Sequence, residues 1–176
     1  MECENSDRMH DLPMTISLRP YRADDQEFLF RLYASTRIHE IAGFGWPAAQ
    51  QEMFLRMQFD AQRRSYESAY EGAEHQIIER AGQPIGRIIV FRVFREKVLR
   101  EKDSMLLVDI ALLTEHRGLG IGGQLIRELI QQAARDGSPL RLQVLKTNPA
   151  LRLYERMGFT RTGEDQMYVQ MERRPD

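Results

Sequence analysis

Residues 116–123 read HRGLGIGG and contain four glycines directly before an amphipathic stretch. A glycine-rich turn that leads into a helix presents free backbone N–H groups to a ligand, and the helix dipole behind them favours a negative charge. Glycine also lets the backbone approach that ligand closely. The segment could instead be a flexible turn without a ligand. Four glycines in six residues, at the junction of a strand and a helix, favour a phosphate-binding turn.

Two common phosphate motifs fit this turn poorly. Gly118, Gly120 and Gly123 match the G-x-G-x-x-G pattern of dinucleotide-binding proteins, which also requires an acidic residue at the end of the next strand. The next strand reads LRLQVLKTN and contains no acidic residue. A P-loop requires Gly-Lys followed by Ser or Thr, and no lysine follows these glycines. The sequence therefore favours a different phosphate ligand.

Two side chains outside the turn could transfer protons. Asp109 is the only charged residue in the apolar stretch MLLVDIALL, where an unpaired carboxylate is costly. It could be a general base, or it could lie on the opposite face of the sheet, paired with an arginine; the sequence leaves both open. Tyr154 keeps its proton at pH 7 and could donate it, or its ring could belong to the core beside Leu151 and Phe159.

The periodicity of apolar residues predicts the elements that position these groups. Asp24 and Asp25 open a first helix, Pro47 begins a second, and a loop over residues 35–46 joins them. The apolar stripe of the second helix is predicted to contain Met53, Phe54, Met57 and Ala61. The predicted strands comprise residues 16–19, 75–80, 85–94, 104–113, 140–145 and 166–171. One helix runs from the glycine-rich turn to about residue 135, and a short one follows Asn148-Pro149 and ends at Gly158.

This order of elements predicts the fold class. One strand–helix–strand unit lies within a run of hairpins, which is typical of a mixed sheet. We expect an α/β fold with a twisted sheet of six or seven strands and helices on both faces. A single domain is predicted over residues 14–176, after a flexible tail of residues 1–13.

Composition limits the class of protein further. The net charge of −1 gives no general attraction to nucleic acid or to an acidic membrane. The single cysteine, Cys3, excludes a disulfide framework and a cysteine-rich zinc site, and the four histidines lack the spacing of metal ligands. No apolar stretch is long enough to cross a bilayer, which predicts a cytoplasmic protein.

Two further segments give the sequence a family resemblance. The turn matches R-x-x-G-x-G at Arg117, Gly120 and Gly122, and the strand before it ends in Ile110-Ala111-Leu112. Downstream, residues 148–159 read NPALRLYERMGF. Together these segments resemble the two signatures of the GNAT family of N-acetyltransferases. The resemblance implies a GNAT-type enzyme that transfers an acetyl group from acetyl-CoA to a primary amine by direct attack, without a metal.

The resemblance also assigns roles to residues. The turn would hold the CoA pyrophosphate through Arg117, Gly118, Leu119, Gly120, Ile121, Gly122 and Gly123. Tyr154 would be the general acid, with Asp109 as the leading candidate for the base. A backbone N–H of Ala111 or Leu112 would stabilise the oxyanion, beside a bulge in the strand. Asn148 would contact the CoA arm, cap the short helix, or do both.

The family's variable substrate region corresponds to the predicted loop over residues 35–46. Phe44 and Trp46 could form an apolar wall for the acceptor or cover the core beneath the loop, and Glu40 could attract a cation. Glu40, His39 or a chain of ordered water could replace Asp109 as the base. The acceptor would be a small molecule or a peptide, and the resemblance is compatible with a homodimer. The alternative is a non-catalytic acyl-CoA-binding regulatory module of the same fold, against which the presence of Tyr154 argues.

Overall fold

The computed structural model describes residues 15–93 and 103–175, apart from the side chain of His39. The tail predicted for residues 1–13, and His39 as a base, therefore lie outside the described residues. Seven strands and four helices occur in the described residues: β1 (Ile16–Pro20), α1 (Gln26–Ala42), α2 (Ala48–Ala69), β2 (Glu74–Arg80), β3 (Gln83–Val93), β4 (Ser104–Leu112), α3 (Ile121–Arg135), β5 (Leu140–Leu145), α4 (Leu151–Arg156), β6 (Thr160–Glu164) and β7 (Tyr168–Arg173).

The strands form one sheet in the order β1-β2-β3-β4-β5-β7-β6. Neighbouring strands are antiparallel except β4 and β5, which are parallel and are joined by α3. A parallel pair requires a long crossover connection, and the apolar side of α3 lets that crossover pack on the sheet. Helices lie on both faces. The predicted mixed sheet of six or seven strands is confirmed.

Each face of the sheet has its own apolar cluster. Phe59 of α2 packs with Ile77 of β2 on one face, which α1 and α2 cover. Leu125 of α3 and Tyr154 of α4 belong to the cluster on the other face, which includes Ile78. Ile77 and Ile78 are adjacent and point to opposite faces because side chains alternate along a strand. This strand is therefore buried between two helical layers.

The connection between α1 and α2 differs from the prediction. α1 continues to Ala42, so residues 35–42, predicted as part of a loop, are helical, and the loop comprises only residues 43–47. The additional turns bury Ile41 in the cluster between α1, α2 and the sheet. Burial of a side chain of this size contributes about 1.5–3 kcal/mol, which outweighs the weak helix propensity of this segment.

The apolar stripe predicted for α2 was wrong at three of its four residues, and only Phe54 packs against the core cluster. Met53 and Met57 are 68% and 58% exposed, and Ala61 is also exposed. Leu55 and Phe59, four residues apart, face the core instead. Apolar residues occur on both sides of this helix, so periodicity alone did not identify the buried side.

The C-terminal strands also differ from the prediction. The last strand, predicted over residues 166–171, is β7, and it pairs with β6. β6 reads TRTGE and was not predicted, because it lacks the apolar alternation that marks a half-buried strand.

Candidate active site

The sheet opens between β4 and β5. Their parallel pairing comprises only residues 105–107 of β4 and residues 140–142 of β5. Both strands continue beyond this point, to Leu112 and Leu145, without pairing with each other. We refer to this opening as the β4–β5 cleft. Backbone groups along it have no partner in the neighbouring strand and can bind a ligand.

A bulge in β4 lies beside the cleft. Residues 89 and 90 of β3 lie opposite Asp109 and Leu107, so Val108 is an extra residue in β4. An inserted residue reverses the faces to which the following side chains point. Leu107 accordingly packs on the α3 side of the sheet, while Ala111 packs on the α1–α2 side. The sequence itself did not show this bulge, which the family resemblance implied.

The N–H groups of Ala111 and Leu112 point in different directions. Leu113 N donates to Ile85 O of β3 at 2.9 Å. Backbone N–H groups alternate in direction along a strand. The N–H of Ala111 is therefore also directed toward β3, and the N–H of Leu112 is directed toward the cleft. Leu112 O on that side accepts a hydrogen bond from Arg117 Nε at 2.8 Å. Of the two predicted oxyanion donors, this geometry favours Leu112.

The glycine-rich turn connects β4 to α3. Gly118 and Gly120 have φ angles of 74° and 81°, which glycine adopts most readily. The first hydrogen bond of α3 joins Gln124 N to Gly120 O at 2.9 Å. The N–H groups of Ile121, Gly122 and Gly123 consequently have no partner within the helix and are available to an anion.

Other residues of the turn contribute less directly. The Arg117 N–H is already bonded to Thr114 O at 3.2 Å. Leu119 is exposed, and the space around Gly122 is open, since an added methyl group would meet nothing within 4 Å. A methyl group on the buried Gly123 would lie 3.3 Å from Met157 Cε. Gly123 therefore lets α3 pack closely beside the segment that carries Tyr154.

Tyr154 lies on α4, after the carboxyl end of β5. Its side chain is buried, and its ring packs edge-on against Phe159 with 5.7 Å between centroids. Burial, together with the negative charge of Asp109, raises the Tyr154 pKa to about 12. Its hydroxyl has no hydrogen-bond partner among residues 15–93 and 103–175. Tyr154 is thus both a core aromatic residue and a protonated donor at neutral pH.

Asp109 forms an ion pair. Its Oδ2 accepts a hydrogen bond from Arg87 Nε of β3 at 2.6 Å, as one of the two interpretations of the sequence anticipated. The bulge places Asp109 on the α1–α2 face, where Tyr66 is close enough for the aspartate charge to act on it. Burial and this charge raise the Tyr66 pKa to about 12.

The sequence did not predict Arg87, Gln62 or Tyr66 as neighbours of this site. One signal could have found Arg87: it is the lone charged residue in the apolar run IGRIIVF of β3. A lone cation and a lone anion in successive apolar strands suggest a buried pair. Nothing in the spacing of α2 marks Gln62.

Asn148 lies in the turn before α4. Its Oδ1 accepts a hydrogen bond from Ala150 N at 2.9 Å, and its backbone oxygen accepts one from Leu151 N at 3.1 Å. The residue at the N-cap position of α4 is Ala150, without a side-chain cap, so Asn148 holds the preceding turn and is not the helix cap that was predicted. The side-chain NH₂ group of Asn148 is not used in this turn.

The residues predicted to meet the acceptor lie near the α1–α2 connection. Glu40 is exposed on α1 and pairs with Arg37, with 3.0 Å between Glu40 Oε2 and Arg37 Nη1. Phe44 is 57% exposed and packs beside Trp46 with 5.1 Å between ring centroids. Trp46 in turn packs edge-on against Phe54 of α2, at 5.3 Å. Trp46 thus covers part of α2, while Phe44 extends into solvent.

Within residues 15–93 and 103–175, no three His, Cys, Asp or Glu side chains are grouped so that they could hold a metal ion. None of the helices in this part of the chain is long and apolar enough to cross a membrane.

Comparison with known sequences identifies the family. The sequence profile of the Acetyltransferase (GNAT) domain matches residues 71–161, just over half of the chain. The match includes the cleft, the glycine-rich turn and Tyr154. The chain therefore belongs to the GNAT family of acetyltransferases. No curated protein sequence matches it.

Solved structures share this fold at low sequence identity. PaiA N-acetyltransferase from Thermoplasma acidophilum, in complex with coenzyme A, is 18% identical with a TM-score of 0.66, over 92% of this chain and 99% of that one. An acetyltransferase from Thermus thermophilus is 19% identical with a TM-score of 0.62, over 91% and 97%. A Corynebacterium glutamicum protein named histone acetyltransferase HPA2 and related acetyltransferase is 18% identical with a TM-score of 0.64, over 93% and 98%.

Proposed function

We propose that this protein transfers an acetyl group from acetyl-CoA to a primary amine by direct attack. The observation that carries the proposal is the position of the β4–β5 cleft. The glycine-rich turn follows β4, and α4 with Tyr154 follows β5. Because the two strands are parallel, both segments lie at the same edge of the sheet, where the strands have separated. Anion-binding groups and a proton donor thus flank one opening.

The residues present are suited to acetyl-CoA. Free N–H groups at the start of α3 can hold a pyrophosphate, and the open space at Gly122 leaves room for it. The unpaired edge of β4, with Leu112 N–H, can hydrogen-bond the amide-containing arm of CoA and the thioester oxygen. Asn148 can contribute its NH₂ group. Acetyl-CoA would supply the acetyl group as a thioester, and the structure of PaiA contains coenzyme A in the same fold.

The proposed chemistry moves three protons. An alkylamine has a pKa of about 10.4 in water, so its ammonium form first releases a proton to solvent and gives the neutral amine that attacks. Asp109, through its free oxygen or through water, accepts the proton that the nitrogen loses when the N–C bond forms. The C–S bond breaks, and Tyr154 donates its phenolic proton to the sulfur. Exchange with water then removes the proton from Asp109 and returns one to Tyr154. Glu40 or a water chain is the alternative base.

The acceptor would approach from the α1–α2 side of the sheet. Asp109 points to this side, and Glu40, Phe44 and Trp46 lie at the connection between the two helices. A carboxylate and two aromatic side chains suit an amine with an apolar portion.

The experiment is incubation with acetyl-CoA and a panel of small amines and amino-terminal peptides. Free thiol and the mass of the acetylated amine are measured together. The proposal predicts equal amounts of the two products with at least one amine. Binding of acetyl-CoA without product from any amine would instead favour the non-catalytic acyl-CoA-binding module.

A further inference from the structure

Arg87 is a buried cation beside the β4–β5 cleft, with 8% of its side chain exposed. Its Nε donates to Asp109 Oδ2 at 2.6 Å, and its Nη2 donates to Gln62 Oε1 of α2 at 2.9 Å. Its guanidinium carbon lies 5.8 Å from the centre of the Tyr66 ring. A buried charge is tolerated only when such partners replace its lost hydration. The guanidinium is therefore fixed by β4 and α2 together.

The geometry of these hydrogen bonds determines the position of Asp109. Two different nitrogen atoms of one rigid, planar group contact Gln62 and Asp109, so anchoring the group on α2 also fixes the carboxylate. A lysine has one nitrogen atom and cannot reproduce both contacts in the same plane. Oδ1 of Asp109 has no hydrogen-bond partner within the described parts of the chain.

We infer that Arg87 is a positioning residue for the transfer reaction, and this inference rests on the proposed function. Arg87 holds the Asp109 carboxylate beside the bulge, with Oδ2 engaged and Oδ1 free to accept the proton of the amine. The positive charge of Arg87 also balances that of Asp109. The net charge of the pair is therefore zero, and the pair does not hold the amine in its protonated, unreactive form.

The first test is Arg87→Gln, with kcat and the KM for the amine as readouts. We expect kcat/KM to fall about 10- to 100-fold, mainly through kcat, because the base is no longer held in place. The KM for the amine should change by less than about threefold, since a positioning residue does not bind the amine. Arg87→Lys should recover only part of kcat, because one nitrogen atom cannot hold both contacts in the same plane.

Arg92→Gln is the matched control. Arg92 lies on the same strand and pairs with Glu74 and Asp136, away from Asp109. Its substitution should leave kcat and KM at wild-type values. Gln62→Leu removes only the second anchor and should lower kcat about 3- to 10-fold without raising KM, which provides a test if Arg87→Gln does not fold.

A double-mutant cycle separates this inference from the proposed function. If Arg87 acts through Asp109, Arg87→Gln should change kcat by less than about threefold in an Asp109→Asn background. Equal effects in both backgrounds, or an unchanged kcat in Arg87→Gln and Gln62→Leu, would overturn the inference while the enzyme remains an acetyltransferase. Absence of transfer by the wild-type protein to every amine would reject the proposed function, and the inference with it.

Discussion

Tyr154 has an uncommon environment for a buried tyrosine. Its ring packs against Phe159, yet its hydroxyl has no hydrogen-bond partner among the described residues. A buried phenol usually finds such a partner, because an unmade hydrogen bond is costly. A bound thioester sulfur would provide one. The raised pKa of about 12 keeps this donor protonated at any pH in which the protein is assayed.

Tyr154→Phe tests this role. The CoA sulfur gains negative charge as the C–S bond breaks, so a hydrogen bond from the phenol stabilises the transition state more than the bound thioester. We expect kcat to fall on the order of 10² to 10⁴, with acetyl-CoA affinity changed by less than about tenfold. Steady-state kinetics and acetyl-CoA titration measure both. Tyr70→Phe, directly after the end of α2, should behave as wild type. A normal kcat with lowered stability would mean that Tyr154 only fills the core.

At the residue scale, the sequence identified the side chains that could transfer protons better than it identified their hydrogen-bond partners. Asp109 stood out because it interrupts an apolar pattern, and Tyr154 because its position matches the second family signature. The partner of Asp109 did not, since Arg87 is 22 residues away and meets it only through the register of β3 and β4. The bulge at Val108 decides which face Asp109 occupies, and no residue type marks it.

At the scale of elements, Gly86 sets the distance between β3 and the cleft edge of β4. It lies opposite Leu112, and a methyl group at Gly86 would collide with the carbonyl oxygen of Ala111 and the side chain of Leu112. The absence of a side chain at Gly86 therefore controls where the Leu112 N–H group is placed.

Gly86→Ala should displace the end of β4. We expect acetyl-CoA affinity to fall at least about tenfold, and the free energy of unfolding to fall by about 1–3 kcal/mol from overpacking. Calorimetric titration and urea denaturation measure these two effects. Gly43→Ala is the control, because a methyl group there meets nothing within 4 Å. Wild-type affinity in Gly86→Ala would show that this edge does not contact the ligand.

The elements differ in how well the sequence predicts them. β5 and α3 were predicted closely because their patterns are strong: alternating burial in LRLQVL, and an apolar side on one face of α3. The end of α1 and the buried side of α2 depend on how these helices pack against each other. β6 depends on pairing with β7. These features come from tertiary contacts, which local periodicity does not contain.

At the scale of the whole molecule, His75 links stability to pH. Its ring stacks on Tyr21 with 4.7 Å between centroids, and its Nε2 is buried without a partner among the described residues. Burial, with a contribution from the charge of Arg87, lowers its pKa from 6.5 to about 4. Between these values the unfolded chain binds a proton that the folded protein does not. Stability should therefore be complete above about pH 6.5 and decrease as the pH falls toward 4.

His75→Phe should remove this dependence. We expect the wild-type free energy of unfolding to fall by about 1–2 kcal/mol between pH 6.5 and 4, after allowance for solvent screening, and the variant to show a flatter profile. Urea denaturation at several pH values measures this. The hydrogen bond from Arg19 lowers the pKa of Asp25. The resulting effect on stability occurs at lower pH and is the same in the variant. Identical profiles for the two proteins would rule out His75 as the cause.

The β4–β5 cleft and the glycine-rich turn are proposed to bind acetyl-CoA together. The most direct test of this binding is the stability of the protein with and without the ligand. At a hundredfold excess over Kd, acetyl-CoA should raise the free energy of unfolding by about 2.7 kcal/mol, and NADH and ATP should do much less. Gly120→Val should fold but lose the effect, because Gly120 has a φ of 81°, which a β-branched residue adopts only with strain, so the turn changes its conformation. Equal stabilisation by NADH, or an undiminished acetyl-CoA effect in folded Gly120→Val, would contradict this assignment.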